Sequence, residues 1–327
     1  MSVLVIFTGP EDKKLIRLRL PGRHMFQRIF LKWGEPVLVD DEEALHILKH
    51  PGFIQKGFSV NSWLDSNPGE YVAVRRHAAL GDVIQLLMSL RDQLELQKKV
   101  TIETQNQYKE VVDYFWKPEV TGKPGIIVNF DGLAELDQTD AYYKTLHRVD
   151  IFRQTLGMDN TGALPLMMLE DHSDFWAKST IRTPSEPYVV MNYKGSRPDN
   201  TINPDIVLDV IEGLRKNVRV IVMGAPISDH PDNYPDNLDF PSLFKVVANA
   251  KCTVVTDSGL LWVSHITHTP VLAMLRETTY ETRVRYAHPN SQVLDLKKLS
   301  NGADDHLPFV YSEGPDVLVD KILEQLN

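Results

Sequence analysis

Apolar residues in this chain gather in short runs separated by stretches of helical periodicity, and the alternation becomes regular after residue 70. Tyr71-Val72-Ala73-Val74-Arg75-Arg76 is a strand pattern, after which Val83, Leu87, Leu90 and Leu94 recur on one helical face. Val100-Thr101-Ile102-Glu103 predicts a second strand, residues 108–115 a second helix, and Gly125-Ile126-Ile127-Val128-Asn129-Phe130 a third strand. Strand, helix and strand at this spacing predict a parallel sheet with right-handed crossovers. The pattern pauses over residues 162–187, which contain Pro and acidic residues, and then starts afresh. Strands are expected at 188–193, 219–223, 252–256 and 271–274, with helices at 204–217, 243–250, 259–267 and 317–326. Pro204 sits where a first helical turn tolerates it.

Residues before 58 have a different texture. The alternation Leu15-Ile16-Arg17-Leu18-Arg19-Leu20 reads as a strand, Pro21-Gly22 as a turn and residues 27–31 as a second strand. Trp33-Gly34-Glu35-Pro36 interrupts the chain before Val37-Leu38-Val39, and Asp40-Asp41-Glu42-Glu43 supplies acidic residues where a short helix would start. The chain is therefore expected to hold a small β-rich module at 1–57 and two α/β domains at 58–175 and 176–327. Two parallel-sheet domains in sequence put a ligand cleft beyond the carboxyl ends of their strands.

Composition narrows the class. With 43% hydrophobic and 24% charged residues, the 327-residue chain is that of a globular protein. A net charge of -9 argues against a surface built throughout for nucleic acid. The single cysteine, Cys252, excludes an internal disulfide and reads as a buried strand residue. The opening Met1-Ser2-Val3-Leu4-Val5-Ile6-Phe7 is too short for a signal peptide, and no run approaches a membrane span, so a cytoplasmic protein is expected.

Two turns carry candidate chemistry. Arg76-His77-Ala78-Ala79-Leu80-Gly81-Asp82-Val83 runs from a strand through a Gly turn into a helix expected to begin at Asp82; that residue either caps the helix or presents a carboxylate to a ligand. Val255-Thr256-Asp257-Ser258-Gly259-Leu260 opens a second helix, whose free N–H groups and dipole suit a diphosphate, with Ser258 adding a hydroxyl. Neither matches a dinucleotide fingerprint or a Walker loop. Gly224, Ser228 and Asp229 could hold a nucleoside. Trp262 is either core or a stacking surface, and His265 and His268, three apart, read as structural histidines for want of a third ligand.

The pair of turns, in this order, resembles glycosyltransferase family nine, the heptosyltransferase family. Ala79-Leu80-Gly81-Asp82-Val83-Ile84 is similar to its Leu-Gly-Asp turn, and Asp257-Ser258-Gly259-Leu260 to its Asp-Thr-Gly-Leu signature. His147-Arg148-Val149-Asp150, Leu156-Gly157 and Pro270-Val271-Leu272-Ala273-Met274-Leu275 also match the family's segments, so that the likeness covers residues 71–276. It implies a GT-B fold, two Rossmann-like domains facing a cleft. It also implies metal-independent, inverting transfer of a sugar from a nucleoside-diphosphate sugar, without a cofactor.

Asp82 is then the general base, with Arg76, Leu80 and Gly81 on the acceptor side. Asp257, Ser258, Gly259, Gly224, Asp229 and Trp262 fall on the donor side. Two departures stand out: Trp262 occupies the place of a family His, and no Lys stands before Pro204, so Lys194 or Arg197 would take over that charge. No Asp-x-Asp occurs in the chain. A catalytically inactive nucleotide-sugar binding protein of the same fold is the alternative.

The basic residues Lys13, Lys14, Arg17, Arg19, Arg23, Arg28 and Lys32 form either a surface for a polyanionic acceptor or a charged edge that prevents aggregation. The segments Gly34-Glu35-Pro36-Val37 and His50-Pro51-Gly52-Phe53 resemble a small module of phage-encoded proteins. A hydroxymethylated DNA base thus stands beside a glycolipid sugar as the expected acceptor.

Overall fold

In the computed structural model the apolar runs become sheet strands, and the periodic stretches become the helices that cover them. The structure describes residues 2–7, 13–18, 27–32, 36–40, 53–55, 59–90, 94–122, 124–130, 146–158, 175, 177–195, 201–202, 204–224, 233–234, 238–275, 283–295 and 315–326. The chain divides into two units, Met1–Leu164 and Pro165–Asn327.

The first unit opens with β1 (Ser2–Phe7), β2 (Lys13–Leu18), β3 (Gln27–Lys32), β4 (Pro36–Asp40) and β5 (Phe53–Gln55). β1 pairs antiparallel with β4 on one side and β5 on the other, while β2 and β3 form a separate antiparallel hairpin. The alternating pattern therefore does produce a β-rich start, with two strands, β1 and β5, beyond those predicted. The Pro21-Gly22 turn and the short helix expected after Asp40 lie outside the described residues.

The α/β part follows, as α1 (Val60–Ser66), β6 (Val72–Arg75), α2 (Leu80–Leu90), α3 (Leu94–Gln97), β7 (Val100–Glu103), α4 (Lys109–Phe115), β8 (Ile126–Asn129) and α5 (Arg148–Thr155). The sheet is parallel, in the order β7-β6-β8, with Val72 opposite both Val100 and Ile126. The central strand has no polar alternation because both its faces are covered: Val72, Ala73 and Val74 are fully buried. α2 is more deeply enclosed than its pattern predicts. Val83, Ile84, Leu86 and Leu90 are inaccessible, and so are Gln85 and Ser89. Each fully buried Val or Leu of this kind stabilises the unit by roughly 1.5–3 kcal/mol. α5 lies against α2, where the buried Arg153 donates from Nη1 to the Ser89 carbonyl at 3.0 Å.

The second unit consists of β9 (Tyr188–Asn192), α6 (Pro204–Leu214), β10 (Arg219–Met223), β11 (Asn233–Tyr234), α7 (Phe240–Ala248), β12 (Cys252–Thr256), α8 (Gly259–Ile266), β13 (Val271–Leu275), β14 (Gln292–Asp295) and α9 (Pro315–Leu326). Among the described residues its six strands are all parallel, in the order β11-β10-β9-β12-β13-β14. Counted along the unit this is 3-2-1-4-5-6, the order of a doubly wound nucleotide-binding sheet.

The core joins Val189, Met191, Val254 and Leu272 of the sheet to Val207, Val210, Ile211 and Leu214 of α6 and to Leu318 and Ile322 of α9. Gly213 permits the close approach of α9, since a Cβ there would stand 2.7 Å from a Val319 methyl. α7 begins at Phe240, three residues earlier than the apolar pattern predicts, because Asp239 caps it by accepting the Ser242 N–H at 2.7 Å.

Candidate functional site

In the first unit, the end of β6 and the start of α2 bring together the residues of the first motif. α2 starts at Leu80 rather than at Asp82, so Asp82 lies within the first helical turn, a position that also suits its charge. Its Oδ1 accepts from Nη2 of Arg76 at 2.8 Å, and Nη1 of Arg148, the first residue of α5, lies 3.6 Å from the same oxygen. Neither contact uses Oδ2. Arg76 is buried, and its Nη1 donates to the Phe130 carbonyl at 2.7 Å beyond the end of β8. Both terminal nitrogens of this guanidinium are thus directed to the protein, and what they fix is the carboxylate. A buried cation is stable only when paired in this way. Gly81 is buried and Leu80 half-buried beside it.

Arg148 was legible only as part of the segment similar to family nine, with no role attached. Its neighbour His147 caps α5, its Nδ1 accepting from the Val149 N–H at 3.2 Å.

The second unit has its chain-order reversal between β9 and β12, the place where open parallel sheets hold ligands. At the carboxyl end of β9, Asn192 donates from Nδ2 to the Met223 carbonyl at 2.9 Å, and its buried Oδ1 has no hydrogen-bond partner among the described residues. Lys194 is exposed two residues further on. β10 ends at Gly224, whose φ of 93° lies in the left-handed region that favours glycine.

At the carboxyl end of β12, the buried Oγ1 of Thr256 and, just beyond the strand, the Oγ of Ser258 also lack partners among the described residues. Ser258 stands at the N-cap of α8, extended at φ -141° and ψ 173°, yet its side chain makes no capping hydrogen bond. Asp257 is engaged differently, its Oδ2 lying 3.4 Å from Nε of the buried Arg283. Three oxygens without partners at one end of one sheet, beside an uncapped helix start, are a cost that a polar ligand or water would offset.

Trp262 is 2% exposed and lies near the His265 ring at a centroid distance of 5.0 Å, so of its two readings the structure places it in the core. The histidine pair of the sequence is not brought together. His265 is fully buried, with Nδ1 2.7 Å from the Leu261 carbonyl and Nε2 2.8 Å from that of Arg283; burial pushes its pKa down to about 4 against the pull of those two carbonyls. His268 takes a left-handed φ of 53° and sits beside His288, ring centroids 4.5 Å apart. Cys252 is buried in β12, as its strand pattern predicts, and its thiol is pushed up to about 12 by burial. Arg197, Ser228 and Asp229 lie outside the described residues. Among the described residues no group of three or more His, Cys, Asp or Glu could hold a metal ion, and no helix is long and apolar enough to cross a membrane.

No family model and no curated protein matches the sequence. Solved structures do. The family 9 glycosyl transferase of Veillonella parvula is 13% identical, over 79% of this chain and 97% of its own, with a TM-score of 0.53. TibC, an iron-containing dodecameric glycosyltransferase of enterotoxigenic E. coli, is 11% identical over 99% and 90%, with a TM-score of 0.53. ADP-heptose lps heptosyltransferase II of E. coli is 11% identical over 78% and 98%, with a TM-score of 0.50. At such identities the likeness fixes the fold. The chain has the GT-B type of architecture, an α/β fold with two parallel sheets, that its resemblance to family nine implies.

Proposed function

We propose that the chain is a glycosyltransferase that moves a sugar from a nucleoside-diphosphate sugar to an acceptor hydroxyl, with inversion and without a metal, in the cytoplasm of a bacterial or phage-infected cell. The observation that carries the donor side is the set of oxygens of Asn192, Thr256 and Ser258, without partners among the described residues, at the reversal of the second sheet. The start of α8 at Ser258 and Gly259 would take the diphosphate, with Lys194 and Arg197 supplying positive charge as the leaving group departs. Gly224 and Asp229 would border the nucleoside, and Asp257 would act by holding Arg283.

Asp82 would be the base. As the acceptor oxygen bonds to the anomeric carbon, the bond from that carbon to the diphosphate oxygen breaks and the acceptor proton passes to the carboxylate. Arg76 and Arg148 would act through Asp82, presenting it in one orientation before substrate arrives; Leu80 and Gly81 shape the turn that carries it. A lipopolysaccharide sugar and a hydroxymethylated DNA base are the two acceptors the sequence favours. The buried Trp262, at the position where the family carries His, favours a second reading: a nucleotide-sugar binding protein without transfer.

Incubation with a panel of sugar nucleotides and both acceptor classes, read by mass spectrometry, is expected to reveal a transferred sugar. Asp82→Asn is expected to lower turnover by about 10²- to 10⁴-fold while leaving nucleotide affinity unchanged. Undiminished turnover in that variant removes Asp82 as the base. Nucleotide binding without transfer to any acceptor leaves the binding-protein reading.

A further inference from the structure

The backbone register of the β2–β3 hairpin sets like charges opposite one another. Lys13 lies across from Lys32 and Arg17 across from Arg28, with Leu15 opposite Phe30 between the two pairs. Residues directly across an antiparallel ladder share a face, as do alternate residues along each strand. One face of the ribbon therefore holds four cationic positions about Leu15 and Phe30, and the other holds one, Lys14, together with Gln27, Ile16, Leu18, Ile29 and Leu31.

Opposed like charges weaken a hairpin, and no acidic residue occurs between Asp12 and Glu35 to offset them. Protection of an edge from aggregation accounts for scattered charges at an edge; it does not account for two opposed pairs on one face. Among the described residues, moreover, β2 and β3 pair only with each other.

A two-stranded β-ribbon of this kind fits the major groove of duplex DNA, about 12 Å wide. The two cation pairs stand four residues apart, about 14 Å at ~3.4 Å per residue, far enough to meet separate phosphates, which recur every ~3.4 Å along each strand of the duplex. A membrane offers a plane of charge that any lysine cluster would meet, whereas cations paired across a ribbon ~5 Å wide match a linear polyanion. We infer that this face of the β2–β3 ribbon is a docking surface for duplex DNA, with Lys13, Arg17, Arg28 and Lys32 assigned to backbone phosphates. The inference concerns binding alone and does not depend on sugar transfer.

The test is fluorescence anisotropy of the full chain with a labelled duplex of about 20 base pairs, from ~50 to ~200 mM salt. Four phosphate contacts give a slope of log K against log salt of about -3.6. The double variant Arg17→Ser, Arg28→Thr is expected to reduce that slope by about 1.8 and to weaken binding at least tenfold. Its melting temperature should hold or rise, because an opposed charge pair has been removed. Arg17→Lys with Arg28→Lys should bind as the parent does.

Should the first variant melt lower, Lys13→Ser with Lys32→Thr gives the same contrast at the other end of the ribbon. Absence of binding at ~50 mM salt, a salt-independent affinity, double variants that bind like the parent, or tighter binding to phosphatidylserine vesicles than to duplex would each overturn the proposal.

Discussion

The turn after β6 and the turn after β12 share a local design, a strand passing through small residues into a helix, yet they differ in how their polar atoms are partnered. In the first, Asp82 is pinned by Arg76 at 2.8 Å and approached by Arg148 at 3.6 Å, cations from two separate elements. In the second, the hydroxyl oxygens of Thr256 and Ser258 are shielded from bulk water and yet, among the described residues, have no partner. A carboxylate fixed by surrounding cations is a group whose orientation is set before anything binds. Hydroxyls without partners among the described residues suit a site completed by something else.

That contrast can be broken most forcefully at Arg76. Arg76→Met removes the buried cation and leaves both the Asp82 carboxylate and the Phe130 carbonyl short of a donor, so the first unit is expected to lose ~3 kcal/mol, at the lower end for a broken buried pair because Arg148 remains. Urea unfolding measures it. Nucleotide affinity should not change, and an unaltered unfolding midpoint would show that Asp82 is not held in place by this contact.

His265 sharpens the comparison from the far end of α8, where both ring nitrogens face backbone carbonyls. Burial keeps the ring neutral down to about 4, although the Leu261 and Arg283 carbonyls favour its protonation. The unfolded chain takes up this proton near pH 6.5 and the folded unit does not, so stability is full above that pH and falls as pH drops. The expected loss is ~2 kcal/mol between pH 7.5 and pH 5. His265→Gln should flatten that part of the pH dependence; a slope identical to the parent's would place the titrating group elsewhere.

The smallest effect is expected at Thr256. Thr256→Val replaces an unpartnered hydroxyl by a methyl of similar shape, so the ligand-free protein should gain about 1 kcal/mol, while affinity for a nucleoside diphosphate falls by a similar amount, about fivefold. Melting and calorimetric titration give the two signs independently. If stability and affinity fell together, the hydroxyl would have a partner within the protein, and the contrast between the turns would fail.

Much of the second sheet was legible because buried parallel strands are rich in apolar and β-branched residues, as in Tyr188–Asn192 and Cys252–Thr256. The edge strands Asn233–Tyr234 and Gln292–Asp295 were not, since an edge needs too few apolar residues to leave a signal. α1 was missed for its brevity, seven residues with only Val60 and Leu64 buried. α2 was placed two residues late because Gly81 has poor helix propensity, which burial overrides here.

The two site turns were visible as motifs, while their electrostatic partners were not. Arg148 reaches Asp82, and Arg283 reaches Asp257, across separations that no local pattern records. That the oxygens of Asn192 and Thr256 lack partners among the described residues could not be read at all, because it is a property of packing.

The 3-2-1-4-5-6 order of the second sheet also governs when its candidate ligand crevice comes into being. β9 is made first and is extended on one flank by β10 and β11; only when the chain doubles back does β12 bring Thr256 and Ser258 alongside Asn192. An intermediate that has assembled only the first flank therefore lacks the candidate site. Any ligand of this crevice selects molecules that have completed the return, so its cellular concentration favours finished chains over stalled ones by mass action.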